Sequence, residues 1–218
     1  MLSDVSSDLS ISRGVEPEKP EIDLNSVRNA VVYDELGNKI RFGDIYKKQK
    51  TIICFVRHFL DYTCKEYVED LAKIPLEYLQ EAGVRLVVLG PAPYKFIQGF
   101  KKLTGYQYTL YCDPEQLVYK AFNCVVKLDH GNPYKSKHIK SGVLMGVLSS
   151  TWRAMRSPNE FQGDVKQQGG AFILGPGDVL HFAHHDQSSS DHMPINNLLT
   201  KAGVQQVSFQ KDPRIQVL

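Results

Sequence analysis

Apolar and polar positions divide the chain into short runs separated by turn residues, and the period of the runs changes along its length. Residues 1–25 show no sustained periodicity; Ser, Asp, Glu, Pro17 and Pro20 dominate them. They read as a disordered tail, with one folded domain over residues 26–218. Two short runs, Ala30-Val31-Val32-Tyr33 and Lys39-Ile40-Arg41-Phe42-Gly43, flank Gly37-Asn38 and predict a β-hairpin. Residues 51–56 and 84–90 are continuous β-branched and apolar runs, the pattern of strands covered on both faces. Between them Val68, Leu71 and Ala72 recur at helical spacing over residues 64–79. Pro75 ends one helix or opens another there, and Gly83 stops the segment. A further helix over 93–103 stops at Thr104-Gly105, a short strand follows at 108–111, and Asp113-Pro114 opens a helix running to about Phe122. Strand, crossover helix and strand at this spacing predict a parallel α/β core.

The rhythm breaks over residues 125–168. Lys135, Lys137, His138 and Lys140 form a basic stretch that reads as a solvated loop. An amphipathic helix over 144–155 carries Leu148, Trp152 and Met155 on one side, a face for core packing. Residues 169–174 and 179–184 flank Gly175-Pro176-Gly177-Asp178, which predicts an antiparallel pair. A final helix over 194–201 ends at Gly203, and the tail over 204–218 is expected to add one more short strand.

Charge narrows the function classes. Lys plus Arg number 26 against 24 Asp plus Glu, a net charge of +2, which removes the electrostatic case for a nucleic-acid binder or a polybasic membrane anchor. No apolar run reaches the length of a membrane span. The first twelve residues are acidic and serine-rich, unlike a secretory signal or an arginine-rich transit peptide, so the expected location is the cytoplasm.

Four cysteines stand at Cys54, Cys64, Cys112 and Cys124, with no C-x-x-C pair and no zinc-finger spacing. In a reducing compartment they are thiols, either packed in the core or reactive. Cys64 is the candidate catalytic residue: a buried strand ends, a short turn follows, and the cysteine lands in the first turn of a helix. Unpaired amides and the helix dipole there favour an anion, so a thiolate is stabilised. His181, His184, His185, Asp186, Asp191 and His192 invite a metal reading, but alternation along a strand puts His181 and His185 on one face and His184 on the other. No metal site is expected. Neither a G-x-G-x-x-G, a Walker loop nor a G-x-S-x-G elbow occurs, so no cofactor is expected either.

Taken together, several motifs carry a resemblance: Phe55-Val56-Arg57-His58-Phe59, Cys64-Lys65-Glu66-Tyr67-Val68, Lys102-Leu103-Thr104-Gly105-Tyr106, Tyr111-Cys112-Asp113-Pro114-Glu115, Ser150-Thr151-Trp152-Arg153-Ala154, Phe161-Gln162-Gly163-Asp164, Gln167-Gln168-Gly169-Gly170 and Ile173-Leu174-Gly175-Pro176-Gly177. From about Val31 to the C-terminus the chain resembles the peroxiredoxin-like 2C branch of the AhpC/TSA antioxidant-enzyme family. The resemblance implies an α/β thioredoxin-like fold of peroxiredoxin type, a central mixed sheet flanked by helices with an N-terminal β-hairpin. It implies that Cys64 is a peroxidatic thiol reducing hydroperoxides and recycled by an external thiol reductant. Typical peroxiredoxins place Pro and Thr seven and three residues before that cysteine; those positions hold Arg57 and Asp61. They supply an arginine before the late core strand; Gln167-Gln168-Gly169-Gly170 stands there, with Arg153 and Arg156 the nearest. The relatives' C-x-x-C becomes Asp61-Tyr62-Thr63-Cys64, so vicinal dithiol chemistry is absent. Asp61 reads as a helix cap whose charge opposes a thiolate, with Arg57 or His58 placed to offset it. Cys112 and Cys124 remain alternatives for a resolving thiol, and Cys54 reads as packing. The rival reading is a catalytically weak thioredoxin-fold protein that acts on a regulatory protein partner.

Overall fold

In a computed structural model that describes residues 22–125, 138, 164 and 166–209, the buried runs form the centre of one sheet. β1 (Val31–Tyr33) and β2 (Lys39–Arg41) make the N-terminal hairpin. β3 (Lys50–Phe55), β4 (Val84–Gly90) and β5 (Thr109–Cys112) run parallel, and β6 (Gly170–Leu174) with β7 (Leu180–His185) makes the late hairpin. The order is β2-β1-β5-β4-β3-β6-β7, with β1 antiparallel to β5 and β6 antiparallel to β3. Ile52 pairs with Leu86 on one side and Ile173 on the other, so β3 is buried on both edges as well as both faces. Crossover helices between parallel strands cover both sides of such a sheet, which explains why β3 and β4 lack polar alternation.

Period-two alternation within the sheet sends successive side chains into two cores. Ile52, Cys54, Leu86 and Val88 face α3 (Tyr62–Leu71), α4 (Leu76–Glu81), α5 (Ile97–Thr104) and α7 (Ile195–Ala202). Ile53, Phe55, Val87 and Leu89 face α1 (Leu24–Val27), α2 (Phe42–Tyr46) and α6 (Leu117–Ala121). On that second side the Phe55 ring lies 5.0 Å from Tyr119, 5.1 Å from Phe122 and 4.7 Å from Phe172. Tilted aromatic packing of this kind stabilises beyond the area it buries.

Several expectations need correction. Leu24 and Val27 are buried in α1, which Asp23 caps, so packed chain already includes residues assigned to the tail. Phe42-Gly43 opens α2 instead of continuing the hairpin, because burying Phe42 beneath the sheet turns the chain. Pro75 separates α3 from α4, its ring fixing the non-helical cap residue. Asp113 does cap α6, but from one turn further back: Gln116 in the left-handed region is the cap residue, and Pro114 lies in the turn. The Asp113 carboxylate accepts from the amides of Leu117 (3.1 Å), Val118 (2.8 Å) and Tyr119 (3.2 Å). Asp113→Ala orphans these buried amides and is expected to cost about 2–3 kcal/mol in urea unfolding, with Asp113→Asn recovering part of the loss. Equal midpoints for wild type and Asp113→Ala would refute that role. Residues 204–209 form no strand, and residues 210–218 of the expected strand region lie outside the described residues. His138 is buried, its Nδ1 2.9 Å from Asp70 Oδ2 and its Nε2 accepting from Ile195 N at 3.2 Å, so it is no part of a solvated loop. The helix expected over 144–155, and Lys135, Lys137 and Lys140, lie outside the described residues. Among the described residues no helix is long and apolar enough to cross a membrane.

Candidate active site at the start of the third helix

The site lies where β3 ends and the chain turns into α3. Asp61 adopts extended backbone (φ −85, ψ 119) and its Oδ1 accepts from Thr63 N at 2.9 Å, so it is the N-cap. Cys64 falls in the first helical turn, with its sulfur directed at the backbone of the strand exit: Arg57 N–H donates to Sγ at 3.4 Å. The thiol is fully buried. Burial, and next the Asp61 carboxylate at 3.5 Å, push it up to about 12, outweighing the opposing effect of Arg57. The resting group is therefore a thiol at neutral pH.

Arg57 is also fully buried, an unusual position for a cation. Its Nη2 donates to Asp61 Oδ2 and Thr63 Oγ1. Burial works against its charge, but Cys64, Asp61 and the buried Asp186 more than compensate and raise its pKa, so it stays a cation. Its Nε and Nη1 have no hydrogen-bond partner among the described residues. Gly169 makes room for this arrangement: a Cβ there would stand 2.7 Å from Asp186 Oδ2, 2.7 Å from Phe55 O and 3.2 Å from Arg57 Cγ.

The connection between β7 and α7 closes over the sulfur. Thr63 Oγ1 lies 3.0 Å from Ser189 O, Tyr67 OH donates to Met193 O at 2.8 Å, and His192 Nε2 stands 3.7 Å from Cys64 Sγ. The His192 ring stacks on Tyr67 with centroids 4.7 Å apart and planes at 22°. Burial foremost, then Arg57, His138 and His184, hold this imidazole well below its usual pKa and so neutral. His184 moves the other way: burial opposes its charge, but Asp186 and Asp191 raise its pKa, with Asp186 Oδ1 3.5 Å from Nε2.

The structure thus brings together Arg57, Asp61 and Cys64, and adds Asp186, Gly169 and His192, which local spacing did not mark as one site. His58 Nδ1 accepts from Leu60 N at 2.9 Å within the turn. Cys54, Cys112 and Cys124 are buried free thiols, all raised chiefly by burial, and Cys64 alone among the four has a cation acting to lower its pKa. Cys124 packs on the opposite side of the sheet from Cys64. The other histidines bond to backbone carbonyls, His181 to Gly175 O, His184 to Asp191 O and His185 to Phe122 O, and no group of three or more ligands capable of holding a metal occurs among the described residues. Arg153 and Arg156 lie outside the described residues.

Residues 70–188 match the sequence profile of the AhpC/TSA antioxidant enzyme family. The chain is 47% identical over 191 residues to Peroxiredoxin-like 2C of Bos taurus, covering 87% of this chain and 84% of that protein. It belongs to the peroxiredoxin-like 2C proteins of the AhpC/TSA family. A second relative, Peroxiredoxin-like 2C of Takifugu rubripes, is 45% identical over 89% of this chain and 88% of its own length. Among solved structures, Peroxidoxin BcpB from Mycobacterium tuberculosis superposes with a TM-score of 0.54 at 13% identity, over 79% of this chain and 90% of that one. The fold of this peroxiredoxin-like 2C chain is accordingly the thioredoxin fold in its peroxiredoxin form. The profile match begins after Cys64, so that match does not include the cysteine itself.

Proposed function

We propose that this thioredoxin-fold, antioxidant-type protein reduces hydroperoxides with Cys64 as the attacking thiol. The sulfur forms a bond to the terminal peroxide oxygen, the O–O bond breaks, and the products are a Cys64 sulfenic acid and an alcohol or water. Since no cysteine stands three residues before Cys64, an external thiol condenses with the sulfenic acid, releasing water and leaving a mixed disulfide, and a second external thiol frees Cys64. One observation carries this reading: Cys64 sits at a helix start against a backbone N–H and a fixed guanidinium, two of whose nitrogens have no partner among the described residues. Arg57 thereby supplies the cation that the resemblance places before the late strand, and those nitrogens suit developing charge on the peroxide oxygens. The thiol is closed in this state and must be uncovered before a peroxide reaches it.

Full burial of Cys64 and the carboxylate 3.5 Å from its sulfur favour the second reading, a catalytically weak protein that acts on a regulatory protein partner. Stopped-flow oxidation by hydrogen peroxide separates the two. Peroxide consumption by the wild type is expected to exceed that of Cys64→Ser clearly, with a sulfenate trap labelling Cys64. Background rates in both proteins eliminate the enzyme reading.

A further inference from the structure

Among the described residues the Cys64 thiol has two acceptors within reach, and they differ in what else they do. Asp61 Oδ2 lies 3.5 Å from Sγ, but that carboxylate is already bonded to Arg57, to Thr63 N and to Thr63 Oγ1. The oxygens of that carboxylate are thus taken up in holding Arg57 and capping the helix. His192 differs: Nε2 stands 3.7 Å from the sulfur, and Nδ1 is buried without a hydrogen-bond partner among the described residues. Stacking on Tyr67 fixes the ring plane, and the Tyr67 hydroxyl is tied to Met193 O beside it. The charged or titratable groups facing His192 are Arg57 from the strand exit, Cys64 and Tyr67 from α3, His184 from β7, and His138.

We infer that His192 is a catalytic proton carrier for Cys64, accepting the thiol proton at Nε2 as sulfur attacks the peroxide and handing it to the oxygen that leaves. This rests on the peroxidatic reading of Cys64 above. The step balances without another reactant. Sulfur loses its proton to Nε2 and bonds to the terminal peroxide oxygen, which keeps its own hydrogen. The O–O bond breaks, sulfur is oxidised by two electrons, and the departing alkoxide or hydroxide takes the proton back from Nε2. Attack is in line, so the leaving oxygen departs on the side of the attacked oxygen away from sulfur, and the imidazolium beside the reacting atoms returns the proton to it there. A carrier matters here because a bare thiolate or alkoxide in so dry a site is costly. Passing the proton through a neutral imidazole completes the reaction with no net charge separated.

The test compares oxidants that differ in their leaving group. His192→Phe preserves a ring against Tyr67 but removes both nitrogens. It is expected to slow Cys64 oxidation by hydrogen peroxide and tert-butyl hydroperoxide about 100-fold. Oxidation by peracetic acid, which still requires the thiol proton to be removed but whose acetate leaves without one, is expected to slow clearly less, by about 10-fold. Equal slowing with all three oxidants marks a merely structural role and overturns the inference, as does an unchanged rate with hydrogen peroxide. Cys64→Ser runs alongside. If the wild type exceeds Cys64→Ser while His192→Phe matches the wild type, the inference alone falls. If the wild type does not exceed Cys64→Ser, the peroxidatic reading falls and takes the inference with it. Thermal melting accompanies each variant, and His192→Gln, which keeps a polar side chain but cannot pass the proton, serves if His192→Phe melts early. The same selective loss is expected from it, and wild-type rates in it overturn the proposal.

Discussion

Arg57→Met is expected to lower unfolding stability by about 3–5 kcal/mol, read as a shifted urea midpoint by circular dichroism. Methionine fills much of the same volume, so packing is largely preserved and the effect is electrostatic. The arginine is the fully buried cation between Asp61 and Asp186, and removing it leaves Asp186 with His184 alone and Asp61 with only neutral donors. Burial already raises the Asp186 pKa, against which Arg57 and His184 act; without Arg57 that carboxyl takes up a proton more readily. Stability of the variant is therefore expected to recover as pH falls toward the acid range, where Asp186 is neutralised in the folded state before it is in the unfolded chain. Arg57→Met combined with Asp186→Asn is expected to regain part of the loss at neutral pH. A loss below about 1 kcal/mol would show instead that water reaches the guanidinium and solvates the carboxylates in its place.

The framework was legible because its signals are local. β3 and β4 are apolar throughout, their lengths match one pass across a sheet, and Gly37-Asn38 fits the hairpin it closes. Boundaries failed where tertiary burial outweighed local pattern. Phe42 follows a strand in sequence yet is drawn beneath the sheet into α2, and Asp113 reaches over a turn that contains Pro114 before capping. The candidate site divides in the same way. Cys64 and its cap Asp61 lie three residues apart and are both readable at a strand-to-helix turn. Arg57 was readable as a neighbour but not as the buried cation, because its direction depends on Gly169 leaving space for it beside Asp186. His192 approaches the sulfur across 128 positions of sequence, and its only local signal was a histidine shortly before the last helix. Contacts between distant segments are set by the order of strands in the sheet, and no period or motif within either segment encodes them.

Asp61→Asn is expected to make Cys64 more acidic and more reactive. Asparagine caps a helix about as well as aspartate, so Thr63 N keeps an acceptor and α3 keeps its start. What changes is charge. The carboxylate 3.5 Å from Sγ disappears, and the guanidinium it neutralised is released to act on the sulfur. Both changes favour the thiolate, so its titration midpoint moves down from about 12 toward neutrality. A nearby charge of this kind is worth about one to three pKa units, or about 10- to 1000-fold more thiolate at neutral pH. Thiolate absorbance titrated against a Cys64→Ser reference reads the midpoint directly, without requiring a reagent to enter the closed site. The rate of Cys64 sulfenate formation under hydrogen peroxide is expected to rise in the same direction, though by less than the thiolate fraction, because a more acidic thiol is a weaker nucleophile. A midpoint that stays in place or rises would mean that burial alone holds the proton on the sulfur and that Asp61 acts on the helix only.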